Sequence, residues 1–305
     1  MPLGWYLAQG LYPIGPSSSD DEEGPCELPN GQIVCGPHGL VVCGKCCTDY
    51  SFMSSSSDKD DYDDDDDSPM NNPPINKDGD PGAPHSLGPE MRIGGGRVIP
   101  ERFTPPTTSI MPTELFRGQK TYFGLTRYIH RDDPQAVLIF TDGACLNNGQ
   151  PNPKAGWAIV YGPGPLIVSG RLERTGPFGD ESIQSSNRAE LRAVIAALRF
   201  RHWPGEGFTT MVIATDSEYV VEGSTKWVRT WTRNDWKTNA GADVKNKDLW
   251  EILLGEFERW MEKGLSIKFW RIPRDWNNTA DAAAKWAASE NEVPNRWKDV
   301  ILVLS

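Results

Sequence analysis

The apolar residues of this chain form short blocks with clear periods only in its C-terminal part, from Tyr122 onward. Short, mostly apolar runs bounded by turn formers predict buried strands, and apolar residues at helical spacing predict helices. The predicted strands are 136–142, 155–162, 166–173, 210–216 and 265–272. The predicted helices are 185–201, 217–231, 247–264 and 277–290, the first of them capped by Ser185 or Ser186.

The order of these elements predicts the fold class. Pro163-Gly164-Pro165 separates the second strand from the third, which indicates an antiparallel hairpin. The remaining strands alternate with helices. We therefore expect an α/β fold, with a five-stranded mixed sheet flanked by helices. Two interruptions are expected as well, a break of the second helix at Gly223 and a loop at 237–243.

The first 118 residues lack these periods, and their composition changes in steps. Residues 1–25 are rich in Gly, Pro and Ser, and residues 26–53 hold five of the six cysteines. A run of aspartates at 54–67 cannot bury a core, and residues 68–118 are rich in Pro, Gly and Asn. We predict a disordered segment at 1–25, a Cys/His-rich segment at 26–53, a largely disordered linker at 54–118 and a folded domain at 119–305 with its core at 134–290.

The net charge of −11 hides a strong asymmetry along the chain. Residues 1–100 carry 17 acidic and 5 basic side chains, a net of −12, whereas residues 101–305 carry 25 and 26, a net of +1. Since a phosphate backbone meets local charge, the acidic total does not exclude nucleic acid. No apolar run approaches the ~20 residues of a membrane helix, and no secretory signal is expected. The clustered cysteines favour a reducing, intracellular compartment, nuclear or cytoplasmic.

Four acidic residues occupy positions from which their side chains can converge. Asp142 and Asp216 end predicted strands, Glu190 lies early in a helix, and Asp281 lies in the last helix among small residues. Carboxylates gathered at one sheet edge repel one another unless a cation neutralises them, and hard oxygen ligands suit Mg²⁺ or Mn²⁺. Each acid also has an ordinary alternative role in a turn, a cap or a helix dipole, and spacing alone leaves both interpretations open.

Several separate motifs resemble those of type 1 ribonuclease H, in that family's order and spacing. The resemblance covers residues 134–289, about half of the chain. The motifs are TDGACLNNG (141–149), AGWAIVYG (155–162), SSNRAELRAVIAAL (185–198), IATDSEYVVEGSTKWV (213–228), WKTNAGADVKNKDLWEIL (236–253) and TADAAAKWA (279–287). The resemblance implies a ribonuclease H-like fold and an endonuclease that hydrolyses the RNA strand of RNA–DNA hybrids.

The resemblance also assigns roles to the four acids. Asp142, Glu190, Asp216 and Asp281 match the family's metal-binding carboxylates. They would hold two Mg²⁺ or Mn²⁺ ions around the scissile phosphate. Water would then attack in line and leave a 5′-phosphate and a 3′-hydroxyl.

A further set of residues matches the family's substrate contacts. The resemblance implies that the RNA strand meets Cys145, Asn147, Asn148, Ser186 and Asn187. It implies that Tyr219 and Trp231 line a DNA channel, that Lys237 belongs to a basic protrusion, and that Ser185 and Asn246 hold a DNA phosphate. Turn formation by the asparagines and helix capping by the serines are alternative or additional roles. Acidic residues dilute the charge of the protrusion, so we expect modest, salt-sensitive affinity.

The loop before the last helix departs from the family pattern. Many members carry a His there, thought to assist proton transfer or product release, whereas 271–281 has none. Other branches of the family have a short loop containing Arg, so activity need not be lost. Arg274 or Asp275 are weak candidates to substitute for the His, and we expect a lower turnover than in a His-bearing relative.

The N-terminal cysteine cluster suggests a second metal. Cys35, His38, Cys43 and Cys46 offer three thiolates and an imidazole, a set that tetrahedral Zn²⁺ takes. A redox-sensitive cluster or unstructured thiols remain alternatives. Similar Cys/His segments occur in fungal proteins of unclear role, and the hybrid-binding module common in eukaryotic relatives is not recognisable. The acidic run would act as a spacer or compete with substrate for the basic face.

Three functions therefore remain open at this point. The leading one is an RNA–DNA hybrid endonuclease that acts as a monomer, with no membrane partner. The first alternative is a catalytically weak or inactive module of the same fold that binds nucleic acid or protein. The second is an interaction protein whose N-terminal region recruits partners of unknown identity.

Overall fold

The computed structural model of the chain describes residues 90–238 and 241–300. Further toward the N-terminus it describes the strand segments Tyr12–Pro13, Pro25–Glu27, Ile33–Cys35, Val42–Cys43 and Thr48–Asp49, which pair in antiparallel fashion. The side chains of the four residues predicted to bind zinc, and the acidic run, lie outside the described residues. Most of residues 1–25, for which disorder is expected, lies outside them as well, although Tyr12–Pro13 and Pro25 belong to strands.

An eight-stranded mixed sheet forms the centre of the domain. Its strands are β1 (Glu101–Arg102), β2 (Phe116–Lys120), β3 (Thr126–His130), β4 (Ala136–Leu146), β5 (Lys154–Val160), β6 (Ile167–Arg171), β7 (Thr210–Thr215) and β8 (Ser266–Arg271). The main order is β6-β5-β4-β7-β8-β1, and the β2–β3 hairpin pairs with β4. The pairs β4–β5, β5–β6, β2–β3 and β3–β4 are antiparallel, whereas β4–β7, β7–β8 and β8–β1 are parallel. The five predicted strands and the mixed sheet are confirmed, and three further strands extend the sheet.

Helices cover both faces of this sheet. They are α1 (Pro112–Leu115), α2 (Ser186–Arg199), α3 (Glu218–Glu222), α4 (Val228–Arg233), α5 (Lys247–Glu262) and α6 (Asn278–Ser289). Short 3₁₀ turns lie at Trp203–Glu206 and Arg274–Trp276. A π-helical turn at Gly223–Trp227 joins α3 to α4, where the sequence indicated a break. Gly223 is required there, because the Trp250 ring lies 2.2 Å from where a Cβ would be.

Alternation along the strands divides the apolar core between the two faces. Val137 and Ile139 of β4 belong to the cluster packed under α2 and α5. Leu138 and Phe140 belong to the cluster on the opposite face, which includes Ala280 of α6. Each face of β4 therefore packs against a different helix. The residues that follow Phe140 continue to alternate between these two faces.

The packed domain begins earlier than the sequence indicated. The linker expected to run to residue 118 is wrong for residues 90–118, since Leu115 and Phe116 are fully buried. Gly94 fits against the backbone of Gly255 in α5, and its N–H donates to the Glu251 carbonyl. The sequence concealed this packing, because the apolar residues of this segment show no helical or strand period and further contacts are made by backbone groups. Within the described ranges, no helix is long and apolar enough to cross a membrane.

Candidate active site

Strand β4 extends beyond its parallel neighbour and carries Asp142 past the end of β7. Pairing with β7 stops at Phe140, opposite Ala214, whereas pairing with β5 continues to Leu146. The expectation that Asp142 ends its strand is therefore wrong, because β5 supports four more residues of β4. Asp216 follows the end of β7 directly, so both aspartates lie at the same edge of the sheet.

A close contact between α2 and β4 brings Glu190 to this edge. Ser185 caps α2 by accepting the Arg188 N–H, which fixes where the helix starts. The backbone N of Glu190 lies 2.1 Å from where a Cβ on Gly143 would be. Only glycine allows this approach. Glu190 thus approaches from the α2 face, while Asp142 continues the α6 face of the strand.

Asp281, in the first turn of α6, completes the group. Its Oδ1 accepts from Arg274 at 3.2 Å and its Oδ2 from Lys285 at 2.8 Å. Arg274 stands in the 3₁₀ turn before α6, within the loop where the sequence lacked a histidine. Asp281 also lies near enough to Asp142 to raise the pKa of that carboxyl, so the four predicted acids lie at one edge of the sheet, with two cations beside the outermost one.

Sequence reasoning missed Asn277, whose amide holds the two central aspartates together. Its side chain is 1% exposed. The Nδ2 donates to Asp216 Oδ1 at 2.8 Å, to Asp142 Oδ1 at 3.3 Å and to the Thr141 carbonyl at 3.0 Å. The available signal was a pair of asparagines before an Ala-rich helix, which indicates helix capping. Nothing in that pattern points to carboxylate contacts.

Burial and mutual repulsion dominate the electrostatics of the site. Asp142 is 4% exposed, and burial raises its pKa well above the usual range, with further increases from Asp216 and Asp281. Burial also raises the pKa of Glu190, as do Asp142 and Asp216, although the Gly143 N–H that it accepts opposes this. Negative charge is thus unfavourable here until a cation compensates it.

The donor set suits a hard divalent cation. All four groups offer carboxylate oxygens, and Glu190 Oε2 is buried without a hydrogen-bond partner, which leaves a ligand position to fill. In residues 90–238 and 241–300, however, no three carboxylate, His or Cys side chains stand close enough together to enclose a metal ion. The Asn277 amide lies between Asp142 and Asp216 instead. Occupation by metal therefore requires the side chains around this amide to move.

The residues predicted to meet the RNA strand lie beside this site. Cys145 is buried near the Gln184 carbonyl, and Asn147 has a positive φ of 56° at the exposed turn. The Asn148 amide donates to Ser186 Oγ at 3.2 Å and accepts the Ser186 N–H at 3.4 Å. These bonds tie the turn after β4 to the start of α2. Asn187 is half-buried in the same turn of the helix.

The residues predicted to hold a DNA phosphate cap two neighbouring helices. Ser185 caps α2 and Asn246, with a φ of 59°, precedes α5. Arg188 binds Asp248 through two hydrogen bonds, at 2.8 and 2.5 Å, and so joins the two N-termini. Since helix N-termini present free N–H groups, their proximity favours an anion.

The predicted DNA channel is more buried than expected. Trp231 is 6% exposed and packs edge-on to Trp250 at 5.4 Å, so it belongs to the core in this conformation. Trp227 is half-buried. Tyr219 accepts from Trp250 Nε1 at 3.0 Å. Lys237 is exposed and pairs with Asp243 at 2.5 Å.

Known proteins that resemble this chain identify its class. The family model for RNase H matches residues 134–289. Ribonuclease H of Treponema pallidum is 43% identical over 124 residues, which cover 39% of this chain and 70% of that protein. Human Ribonuclease H1 is 34% identical over 161 residues, 51% of each chain, so this chain spans about half of the human protein.

The chain belongs to the RNase H family. The family and fold predicted from the sequence motifs are thereby confirmed. The matched segment contains Asp142, Glu190, Asp216 and Asp281, together with Asn277. Residues 90–133, including α1 and the β2–β3 hairpin, lie outside it.

Removing the buried charge at Glu190 should stabilise the metal-free protein at neutral and alkaline pH. Because its folded-state pKa is raised, the folded state binds the extra proton, and stability is lost as pH rises from the ordinary carboxyl value through the folded-state pKa. We expect Glu190→Gln to lose less stability than wild type as pH rises and to be more stable than wild type at pH 8. This difference in stability should disappear near pH 4. The free energy of unfolding, measured with urea in EDTA at several pH values, tests this expectation. An equal change of that free energy with pH in the two proteins would contradict it.

Asn277→Asp should place a third negative charge against Asp142 and Asp216 and remove two hydrogen bonds to them. We expect a fall in Tm of several degrees at pH 8 that becomes smaller at pH 5, where the carboxylates take up protons. Asn278→Asp is the matched control, because the neighbouring side chain is exposed and bonds only to the Asp275 carbonyl. Equal shifts for the two variants in differential scanning fluorimetry would refute the bridging role.

Proposed function

We propose that this chain is a metal-dependent endonuclease that hydrolyses the RNA strand of RNA–DNA hybrids. The observation that supports this proposal most strongly is the convergence of four carboxylates at one edge of the sheet. Burial and mutual repulsion disfavour the negative charges of Asp142 and Glu190 there. The relatives named Ribonuclease H support the activity.

The chemistry follows from hard cations at this edge. Two bound Mg²⁺ or Mn²⁺ ions supply Lewis-acid activation of water and compensation of charge on the leaving oxygen. Asp142, Glu190, Asp216 and Asp281 would hold them. Hydrolysis by in-line attack gives a 5′-phosphate and a 3′-hydroxyl.

The remaining residues of the site position these acids. Asn277 keeps Asp142 and Asp216 side by side, and Lys285 and Arg274 orient the two oxygens of Asp281. Arg274 also favours the ionised forms of Asp142 and Glu190. An arginine always carries its charge and cannot shuttle a proton as a histidine does. This difference supports the expectation of a slower turnover than in a His-bearing relative.

Selection of the hybrid rests on two surfaces. Asn147 offers an exposed polar side chain in the turn after β4, as recognition of 2′-hydroxyls in a wide minor groove requires, and the buried Asn148 and Ser186 hold this turn against the start of α2. Ser185 and Asn246, at the joined N-termini of α2 and α5, are placed for a phosphate of the DNA strand.

The test is cleavage by the full chain of labelled RNA–DNA hybrid, double-stranded RNA and double-stranded DNA, with and without Mg²⁺ or Mn²⁺. We expect metal-dependent cutting of the RNA strand of the hybrid alone. Asp142→Asn should lower the rate by about a hundredfold or more, as loss of one preorganised electrostatic group does. Asp132→Asn, an exposed change at the opposite end of β4, should leave it unchanged.

Two outcomes would count against the proposal. Folded protein that binds hybrid but does not cut with either metal would make it a binding module. Equal cutting by wild type and Asp142→Asn would show that the activity does not come from this carboxylate site.

A further inference from the structure

A groove that none of the four carboxylates lines runs between α4 and the segment that leads into β1. Its volume is about 470 Å³, and its floor includes Val98, Ile99 and Met261. Three arginines, Arg97, Arg229 and Arg233, line it as well. Arg229 and Arg233 lie one helical turn apart on α4, so their side chains share one face of the helix. The groove thus combines an apolar base with guanidinium groups.

The charge of this groove is only partly compensated. Arg97 pairs with Glu258 at 3.2 Å, and the neighbouring Glu262 pairs with Arg92 at 2.8 Å. Within the described ranges, neither Arg229 nor Arg233 takes part in an ion pair. Two positive charges therefore remain for a ligand with carboxylate or phosphate groups.

One wall of the groove lies outside the segment matched by the RNase H family model. Gly96 to Ile99 precede the segment matched by the RNase H family model, which starts at residue 134. Their position is fixed by Glu258, whose Oε1 accepts the N–H groups of Gly95 and Arg97 at 2.9 and 3.1 Å. The RNase H domain alone would therefore lack this wall.

We propose that the groove binds the acidic segment 58–67 of the same chain. That segment, DKDDYDDDDD, carries eight aspartates and a single lysine around Tyr62. Its carboxylates match the uncompensated arginines, and the aromatic ring of Tyr62 matches the apolar floor. A nucleic-acid backbone would satisfy the arginines as well, but its phosphates and sugars offer no comparable partner for Met261 and Ile99.

The connection is long enough for this contact. Residues 68–89, 22 in all, separate the acidic segment from Glu90, and an extended chain of that length spans about 75 Å at most. The groove wall begins at Gly96, six residues further on. Tethering at this separation gives an effective concentration in the millimolar range, so weak exposed ion pairs suffice for occupancy.

Docking has a consequence that rests on the proposed function. Helix α4 carries Trp231 of the expected DNA channel, so an acidic segment docked on this helix would oppose hybrid binding. Occupancy of the groove itself does not depend on nuclease activity. The two claims are therefore tested separately.

The first experiment maps the contact by photo-crosslinking in the full chain, with p-benzoylphenylalanine in place of Tyr62. We expect intramolecular crosslinks to Met261 and to the peptides around 96–99 and 229–233. They should disappear in Arg229→Gln/Arg233→Gln and at ~1 M salt, where exposed charges are screened. Arg117→Gln/Lys120→Gln removes the same charge from the exposed β2–β3 hairpin and should retain them.

Three results would overturn the proposal. These are crosslinks that map elsewhere, crosslinks that persist when both α4 arginines are neutralised, and crosslinks found only between two chains. Circular dichroism and Tm of each variant verify that the domain is folded. Since all four substituted basic residues are exposed, we expect no change in either.

The second experiment measures hybrid affinity in Ca²⁺, with Asp63 to Asp66 changed to Asn. We expect about threefold tighter binding or more at low salt, and no such gain when Arg229 and Arg233 are already Gln. Changing Asp20, Asp21, Glu22 and Glu23 to their amides is the matched control and should have little effect. A gain of equal size with and without the arginines would show general repulsion of substrate and would overturn docking in the groove. An equal loss of affinity from the arginine changes in both backgrounds would assign the groove to nucleic acid.

Discussion

The whole site depends on the contact between α2 and β4 at Gly143. The backbone of Glu190 occupies the space in which any other residue would carry a Cβ. This contact buries a carboxylate within reach of Asp142 and Asp216 and out of bulk water. In a low dielectric such charges repel strongly, so the fold concentrates unfavourable charge at one place. The same arrangement favours the binding of a divalent cation at this edge of the sheet.

The surrounding structure is arranged to tolerate this charge. Asn277 is anchored at the start of α6 and donates to both central aspartates. Close packing holds α6 against the sheet, because Gly156 of β5 meets the backbone of Ala288 and Ala284. Helix α2 is fixed from the other side, since the Arg192 guanidinium lies between the rings of Trp157 and Trp297. The carboxylates are therefore held by two rigid helices and a central strand, which suits preorganised electrostatics.

The sequence predicted the parts of this design that follow from periodicity and local chemistry. The five central strands, the capped helix that carries Glu190 and the four acids were all identifiable, because apolar spacing and family motifs specify them. Asn277 was not, since a capping asparagine and a carboxylate-bridging asparagine look alike in a sequence. The burial of Trp231 was also missed, because an aromatic residue between basic ones fits either a binding surface or a core.

The N-terminal boundary shows a different limit of sequence reasoning. Residues 90–118 show no apolar period and contain eight glycines and prolines, which is typical of a linker. Their packing depends on partners far away in the chain, such as Gly255 and Glu258 of α5. No local pattern records contacts of that kind. The groove between α4 and the segment that leads into β1 is formed by the same packing, so sequence motifs did not predict it.

Linkage between folding and metal binding tests the central claim most directly. The measurement is Tm of the full chain as a function of MgCl₂, at ionic strength held constant with NaCl, for wild type and for Asp142→Asn. If buried, mutually repelling carboxylates form the cation site, Mg²⁺ raises the Tm of the wild type with a saturable dependence, and the variant responds much less. Identical responses of the two proteins, or none in the wild type, would contradict the account.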